Sequence, residues 1–270
     1  MQPADLPYPD WLRQHPARWA PGTLDRAALH ARASALAAEP GFDAEARHFA
    51  QCWQAAYDSS PALHTVMRNT PRYLLLVASL RLDHVRGSGT GGGVTPGQLI
   101  ELLTAGGRQL ASASVSRVKA ILGHARAHGL LRPVPGAGDA RRRPLEPTAL
   151  LRDAMAVWVT GFLRGLPPYL PLPASPETMV ALPGFVGELF TYRLAGFVED
   201  HYILSEGVPE LRWIMDREKG YHLFLSLVRP MQIETDGSAT TQVVQSAMAA
   251  QARVSRGTVQ NFLHGCQLQG

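Results

Sequence analysis

The segment Ser112-Ala-Ser-Val-Ser-Arg-Val-Lys-Ala-Ile-Leu122 decides the interpretation of this chain, because it has the periodicity of an amphipathic helix. An α-helix turns about 100° per residue, so side chains three and four positions apart share one face. The face that is expected to contact a core consists of Val115, Val118, Ile121, Leu122 and Ala125. The opposite face, which we call the first ridge, consists of Ser116, Ala120, Gly123 and Ala127.

Cations flank the first ridge, since Arg117 and His124 lie on one side of it and Lys119 lies on the other. Small side chains permit close approach to another surface, and the neighbouring cations can reach phosphates or guanine edges. The segment therefore has the shape of a helix that enters the major groove of DNA. Either Ser112 or Ser114 is expected to cap its first turn.

The flanking sequence adds a helix before this segment and a β-hairpin after it. Residues 95–103 begin with Thr95 as a cap and Pro96 in the first turn, which predicts a helix. Gly129 is expected to end the second helix. The proline-rich segment 132–148 then predicts two short, irregular strands around Val134 and Leu145. The order is helix, turn, helix and wing.

At these residues the chain resembles the winged-helix transcription regulators of the MarR type. The resemblance covers roughly residues 70 to 150, and it implies a winged-helix fold and sequence-specific binding to DNA. The chain departs from the family in its longer helix before Gly129 and in its proline-rich wing. The matching residues are Ser114 or Ser116, Val118, Leu122, Gly129-Leu130-Leu131 and Asp139-Ala-Arg141-Arg142-Arg143-Pro-Leu145-Glu-Pro-Thr148.

The end of the chain repeats this pattern. Residues 255–270 align without gaps to residues 114–129, and apolar positions match apolar positions, as in an internal duplication. Residues 221–228 parallel 72–80, and a helix is expected from Thr240 to Ala250. Chance similarity between two amphipathic helices is the alternative.

The repeated helix exposes a different surface, which we call the second ridge. It consists of Gly257, Asn261 and His264, with Thr258 and Gln260 beside it. Amide side chains suit adenine edges. Arg256, in the first turn of this helix, would reach a phosphate more easily than a base.

Charge is unevenly distributed along the 270 residues, which include 26 Lys and Arg against 22 Asp and Glu. Between Arg108 and Arg143, eight basic residues stand against the single acid Asp139. Between Leu166 and Gly220, eight acids stand against four bases. The basic block predicts contact with a polyanion, and a solvated arginine surface is the alternative.

Proline and glycine breaks divide the chain into four expected segments. Residues 1–69 form an N-terminal helical segment, and 70–166 form the first winged helix-turn-helix domain. Residues 167–219 form a proline-rich connector with an aromatic helical segment, and 220–270 form a second helix-turn-helix unit whose wing is absent or truncated. The predicted fold class is mainly α, with tandem winged helix-turn-helix units and a small β-hairpin wing in the first.

Other classes of function have little support in the sequence. The glycine-rich run 87–93 has no following Lys, and His201 beside Glu199-Asp200 belongs to no catalytic pattern. Cys52 and Cys266 form neither a metal motif nor a disulfide framework. We therefore expect no enzymatic activity, no metal and no cofactor. A cytoplasmic protein is expected, because neither a signal peptide nor a membrane span is evident.

The sequence thus predicts a transcriptional regulator whose two units both contact double-stranded DNA. A tandem winged-helix replication initiator and a winged-helix protein-interaction module are the alternatives. The aromatic region 176–219 is either an ordinary core or a pocket for a small-molecule effector. We expect a monomer with pseudo-dimeric repeats, or a homodimer.

The residues expected to contact DNA lie on either ridge, beside it, or in the basic segments around the first helix. They are Arg108, Ser112, Ser114, Ser116, Arg117, Lys119, Ala120, His124, Arg126, Arg141, Arg142, Arg143, Ser255, Arg256, Gly257, Thr258, Gln260, Asn261 and His264.

Overall fold

A computed structural model of the chain describes seven stretches, which are residues 25–85, 93–104, 114–134, 144–166, 172–190, 208–234 and 238–269. The described residues are mainly helical, as predicted, with two small antiparallel sheets. The helices are α1 (Arg26–Ala37), α2 (Phe42–Ser59), α3 (Leu63–Val66), α4 (Thr70–Val85), α5 (Pro96–Thr104), α6 (Val115–Ala127), α7 (Ala149–Arg164), α8 (Pro176–Val180), α9 (Pro209–Asp216), α10 (Gly220–Val228), α11 (Gln245–Ala252) and α12 (Arg256–Gln269). Residues 185–190 are also helical. The strands are β1 (Leu131–Pro133), β2 (Leu145–Pro147), β3 (Gln232–Ile233) and β4 (Ala239–Thr240).

Contacts within the chain group the described residues into two compact units. Unit 1 contains 70–156 and 173–190, and unit 2 contains 25–69, 157–172 and 208–269, apart from the gaps given above. This grouping differs from the four contiguous segments expected from the sequence. The difference arises because α2 packs against α10, which lies far from it in sequence.

Unit 1 is built around the apolar helix α4, whose Leu75, Leu76 and Ala78 are completely buried. Helices α5 and α6 pack against α4 and against each other, and β2 also contacts α4. Leu99 of α5 and Val118 of α6 are completely buried. Three helices therefore share one core, as the periodicity of the sequence predicts.

The sheet of unit 1 contains a pairing that the sequence did not predict. Strands β1 and β2 are antiparallel, with Leu131 opposite Pro147. On the other side of β2, Leu145 forms an isolated antiparallel bridge with Val94, with N–H to carbonyl distances of 2.7 and 2.9 Å. The first strand also begins earlier than expected, at Leu131 instead of around Val134.

The end of α6 is fixed by Gly129, as predicted. Its φ of 67° is in the left-handed region, which glycine adopts without a steric penalty. The amide of Leu130 then donates to the carbonyl of Ala125 at 2.9 Å. The Thr148 hydroxyl donates to the Gly129 carbonyl at 2.6 Å. The same hydroxyl accepts a hydrogen bond from the Leu151 amide at 3.4 Å. Thr148 thus joins the end of α6 to the start of α7.

Unit 2 contains two short strands where the sequence predicted the start of a helix. Thr240 pairs with Gln232 in the hairpin of β3 and β4, and the following helix begins at Gln245. Helices α11 and α12 are joined by Arg253, whose φ of 56° and ψ of 49° are left-handed. The core here consists of Ile214, Leu223, Met248, Ala249, Ala252, Val259 and Phe262.

A group of buried polar residues lies between α2, α3 and α10. The rings of Tyr57 and His222 meet at 4.6 Å between centroids, and those of His64 and His222 meet at 5.6 Å. The buried Lys219 ammonium donates to the carbonyl of His64. Burial and the nearby charge of Lys219 lower the pKa of His222 to about 3. Burial and the charges of Lys219 and Arg253 lower the pKa of His64 to about 4. Both histidines are therefore neutral at neutral pH.

These two histidines predict that the protein loses stability in mild acid. Their folded pKa values lie below the ordinary value of 6.5. The unfolded chain therefore binds more protons as the pH falls below that value. The free energy of unfolding should decrease by up to about 1.4 kcal/mol per pH unit for each histidine. Urea unfolding followed by tryptophan fluorescence between neutral pH and mild acid measures this slope.

His222→Gln should make the slope shallower, because the substituted side chain does not titrate. His30→Gln, at an exposed position of α1, is the matched control and should leave the slope unchanged. Equal slopes for the wild type and His222→Gln would contradict the assignment of this pH dependence to the buried histidine.

Candidate nucleic-acid interface

The first turn of α6 is capped by Ser114, which is one of the two serines that the sequence proposed. Ser114 has extended backbone angles, and its hydroxyl accepts a hydrogen bond from the Arg117 amide at 3.3 Å. The hydroxyls of Ser114 and Ser116 lie 3.0 Å apart. Ser112 is outside the described residues.

The two faces of α6 are separated as the periodicity predicts, with one exception. Val118, Ile121, Leu122 and Ala125 are buried, whereas every residue of the first ridge is exposed. The prediction that Val115 faces the core is wrong, because 45% of its surface is accessible. Val115 is the first residue of the helix, which at that point extends past the core.

The cations beside the first ridge differ in how far they are exposed. Arg117, Lys119 and Arg126 are exposed. His124 is half-buried, with its ring centroid 4.0 Å from that of His128, so it offers less surface than the sequence suggested. Predicted contacts that lie outside the described residues are Arg108, Arg141, Arg142 and Arg143.

The basic block predicted from the sequence includes Arg132 of β1, which is exposed and has an acidic partner in the structure. Its guanidinium lies 2.6 Å from the carboxylate of Glu146, directly opposite on β2. This cross-strand pair balances the charge of Arg132.

Helix α12 repeats the local structure of α6 at the aligned positions. The Ser255 hydroxyl accepts from the Thr258 amide at 3.1 Å, as Ser114 accepts from Arg117. Val259 is completely buried, as is the aligned Val118. Gly257, Gln260, Asn261 and His264 are exposed, and Arg256 is exposed in the first turn. The second ridge therefore also faces away from its core.

A groove with a volume of about 690 Å³ runs beside the second ridge. One side of it is formed by Thr258, Asn261 and His264 of α12. The other side is formed by Trp213 of α9 and by Arg217 and Glu218, which follow that helix. Arg217 was not predicted from the sequence, because nothing in the local pattern of residues 209–218 relates it to a helix that begins at Arg256.

The described aromatic residues of the region 176–219, which was expected to be either a core or an effector pocket, differ in their surroundings, and the effector pocket stays a prediction. Phe185 and Phe190 are completely buried in unit 1. Trp213 lines the groove in unit 2. The other aromatic residues of the region, Tyr192, Phe197 and Tyr202, lie outside the described residues, as does His201.

Among the described residues, no group of three or more His, Cys, Asp or Glu side chains is placed to hold a metal ion. In the same part of the chain, none of the helices combines the length and hydropathy needed to cross a bilayer.

Comparisons of this chain with protein-family models, with curated proteins and with solved structures find no match.

The repeated serine caps predict a matched pair of stability effects. Ser114→Ala and Ser255→Ala should each lower the free energy of unfolding by about 1 kcal/mol, because each leaves a helix amide without its partner. Glycine at the same positions should cost only a few tenths of that amount. Chemical denaturation measures these differences.

Ser246→Ala is the control, because Ser246 is an exposed residue in the first turn of α11 and is not its cap. It should change the free energy of unfolding little. If Ser255→Ala lowered the free energy of unfolding no more than Ser255→Gly and Ser246→Ala do, the capping role would be refuted.

Proposed function

We propose that this protein is a sequence-specific transcriptional regulator in which α6 and α12 each enter the major groove of duplex DNA. The observation that carries this proposal is the surface of α6. Its ridge of small side chains is exposed, and the exposed cations Arg117, Lys119 and Arg126 stand beside it. Such a helix can approach base edges closely while its cations contact phosphates.

The order of elements in unit 1 supports a winged helix. Helix α4 is followed by Val94, α5, α6, β1 and β2, and Leu145 of β2 pairs with both Val94 and β1. This arrangement holds the β1–β2 hairpin directly after the reading helix, which is where a wing lies. The hairpin would then contact the DNA backbone.

Unit 2 supports the proposal through its own helix-turn-helix. Arg253 and Val254 form a short turn between α11 and α12, and the Val254 amide donates to the Ala249 carbonyl at 3.0 Å. Helix α10 precedes this pair and contacts both of its helices. The β3–β4 hairpin occupies the place in the element order that Val94 has in unit 1.

The two ridges differ in chemistry, so we infer that the two half-sites differ in sequence. The first ridge has no amide side chain and depends on Arg117 beside it, which suits guanine edges. The second ridge has Asn261, which suits adenine. The first unit should supply more of the salt-dependent affinity.

Lys119→Ala and Asn261→Ala should separate these roles. Lys119→Ala should weaken binding to all sequences and lower the salt slope by about 1, because one phosphate contact is lost. Asn261→Ala should cost about 1–3 kcal/mol on the preferred site and relax the preference at that position. Selection from random duplex DNA identifies the site, and titrations in a salt series measure both effects.

Arg32→Ala, an exposed cation on α1, is the control and should bind as the wild type does. Equal losses on all sequences for Lys119→Ala and Asn261→Ala would argue against base reading by α12. Strand opening at the bound site would favour replication initiation, and no binding to any duplex at low salt would refute the proposal and leave the protein-interaction alternative.

A further inference from the structure

The second reading helix has no cation at the three positions where the first has Arg117, Lys119 and Arg126, and Gln267 stands opposite Arg126. The gapless alignment of α12 with α6 places Thr258 opposite Arg117 and Gln260 opposite Lys119. Arg256 remains in the first turn of α12. A helix in the major groove is flanked by phosphates on both sides. If α12 reads DNA, a cation from another element beside Thr258 would supply the phosphate contact that α12 lacks at this position.

Arg217 lies where such a cation is needed. It follows α9 directly, and it lines the groove of about 690 Å³ together with Thr258, Asn261 and His264. Arg217 is exposed, so its guanidinium is accessible to a ligand in the groove. Thr258, which is aligned with Arg117, thus lines the same groove as Arg217, the residue that follows α9.

The position of Arg217 is supported by an aromatic platform. Its guanidinium carbon lies 4.7 Å from the centroid of the Trp213 ring. Trp213 is itself held from two directions, because it stacks on Phe262 at 6.0 Å and packs against Gly265, where any Cβ atom would overlap its ring. Stacking restricts a guanidinium without consuming its hydrogen-bond donors.

Arg217 has an acidic residue on each side, Asp216 and Glu218, and of these only Glu218 lines the groove. Glu218, which also lines the groove, forms an ion pair with Arg68 of the same unit. The ion pair with Arg68 balances the carboxylate that lines the groove, so that this carboxylate does not offset the charge of Arg217. An anion is the ligand that this side of the groove favours.

We propose that the groove between α9 and α12 receives the sugar-phosphate backbone of one DNA strand, with Arg217 donating to a phosphate. This inference rests on the proposed function and adds a residue and a surface to it. Arg217 would give unit 2 a phosphate contact of the kind that Lys119 gives unit 1. A guanidinium can contact two phosphate oxygens at once, which suits a strand running along the groove.

The test compares three variants on a short duplex that is enriched by the wild-type protein from random DNA. Arg217→Ala should weaken binding on the order of threefold to tenfold and lower the magnitude of the salt slope by about 1. Arg212→Ala, an exposed arginine on α9 that does not line the groove, should bind as the wild type does. Thr258→Arg in the Arg217→Ala background should restore most of the lost salt dependence.

Circular dichroism and thermal unfolding of each variant verify that the fold is intact. Unchanged binding by Arg217→Ala, with the wild type still binding the duplex, overturns this inference and leaves the proposed function standing. An equal loss in Arg212→Ala overturns it as well, because the effect would then follow net charge alone. Failure of the wild type to bind any duplex at low salt overturns both.

Discussion

The complete burial of one valine in α6 and of one in α12 determines which side chains each helix exposes. Val118 of α6 and Val259 of α12 have no accessible surface. Because each residue advances the helix by about 100°, fixing one side chain in the core fixes the direction of all the others. Ser116 and Ala120 must then face outward in α6, and Gly257 and Asn261 must do so in α12. The exposed chemistry of both ridges is a consequence of core packing.

Periodicity predicted this part of the structure well, because the relevant information is local. The buried positions of α6 and the end of this helix at Gly129 follow from spacing and from glycine stereochemistry. Val115 was misassigned because its angle matches the core face while its position at the helix start takes it past the core. A periodic pattern gives the direction of a side chain, but it does not give the extent of the surface that the helix packs against.

The features that were missed depend on contacts between distant parts of the chain. The Val94–Leu145 bridge joins one residue to one residue, so it leaves no alternating pattern to detect. Strands β3 and β4 have two residues each, which is also too short for an alternating pattern. Thr240 was therefore assigned to a helix. The side-chain amide of Gln54 donates to the Ser226 hydroxyl at 2.8 Å across 172 positions, within unit 2. No local signal specifies which of many amphipathic helices will share such a contact.

The same distinction explains why α6 and α12 can differ in charge although their caps and buried positions match. The serine cap binds a backbone amide, and the buried valine occupies one apolar position. Neither interaction requires a particular side chain on the exposed face of the helix. In α6 the exposed cations belong to the helix itself. In unit 2, Trp213 packs where Gly265 leaves room for it, and this contact brings Arg217 beside a helix with fewer cations. Gly265 thus helps to place the positive charge of Arg217 beside α12, because any larger residue at position 265 would displace Trp213, on which Arg217 is stacked.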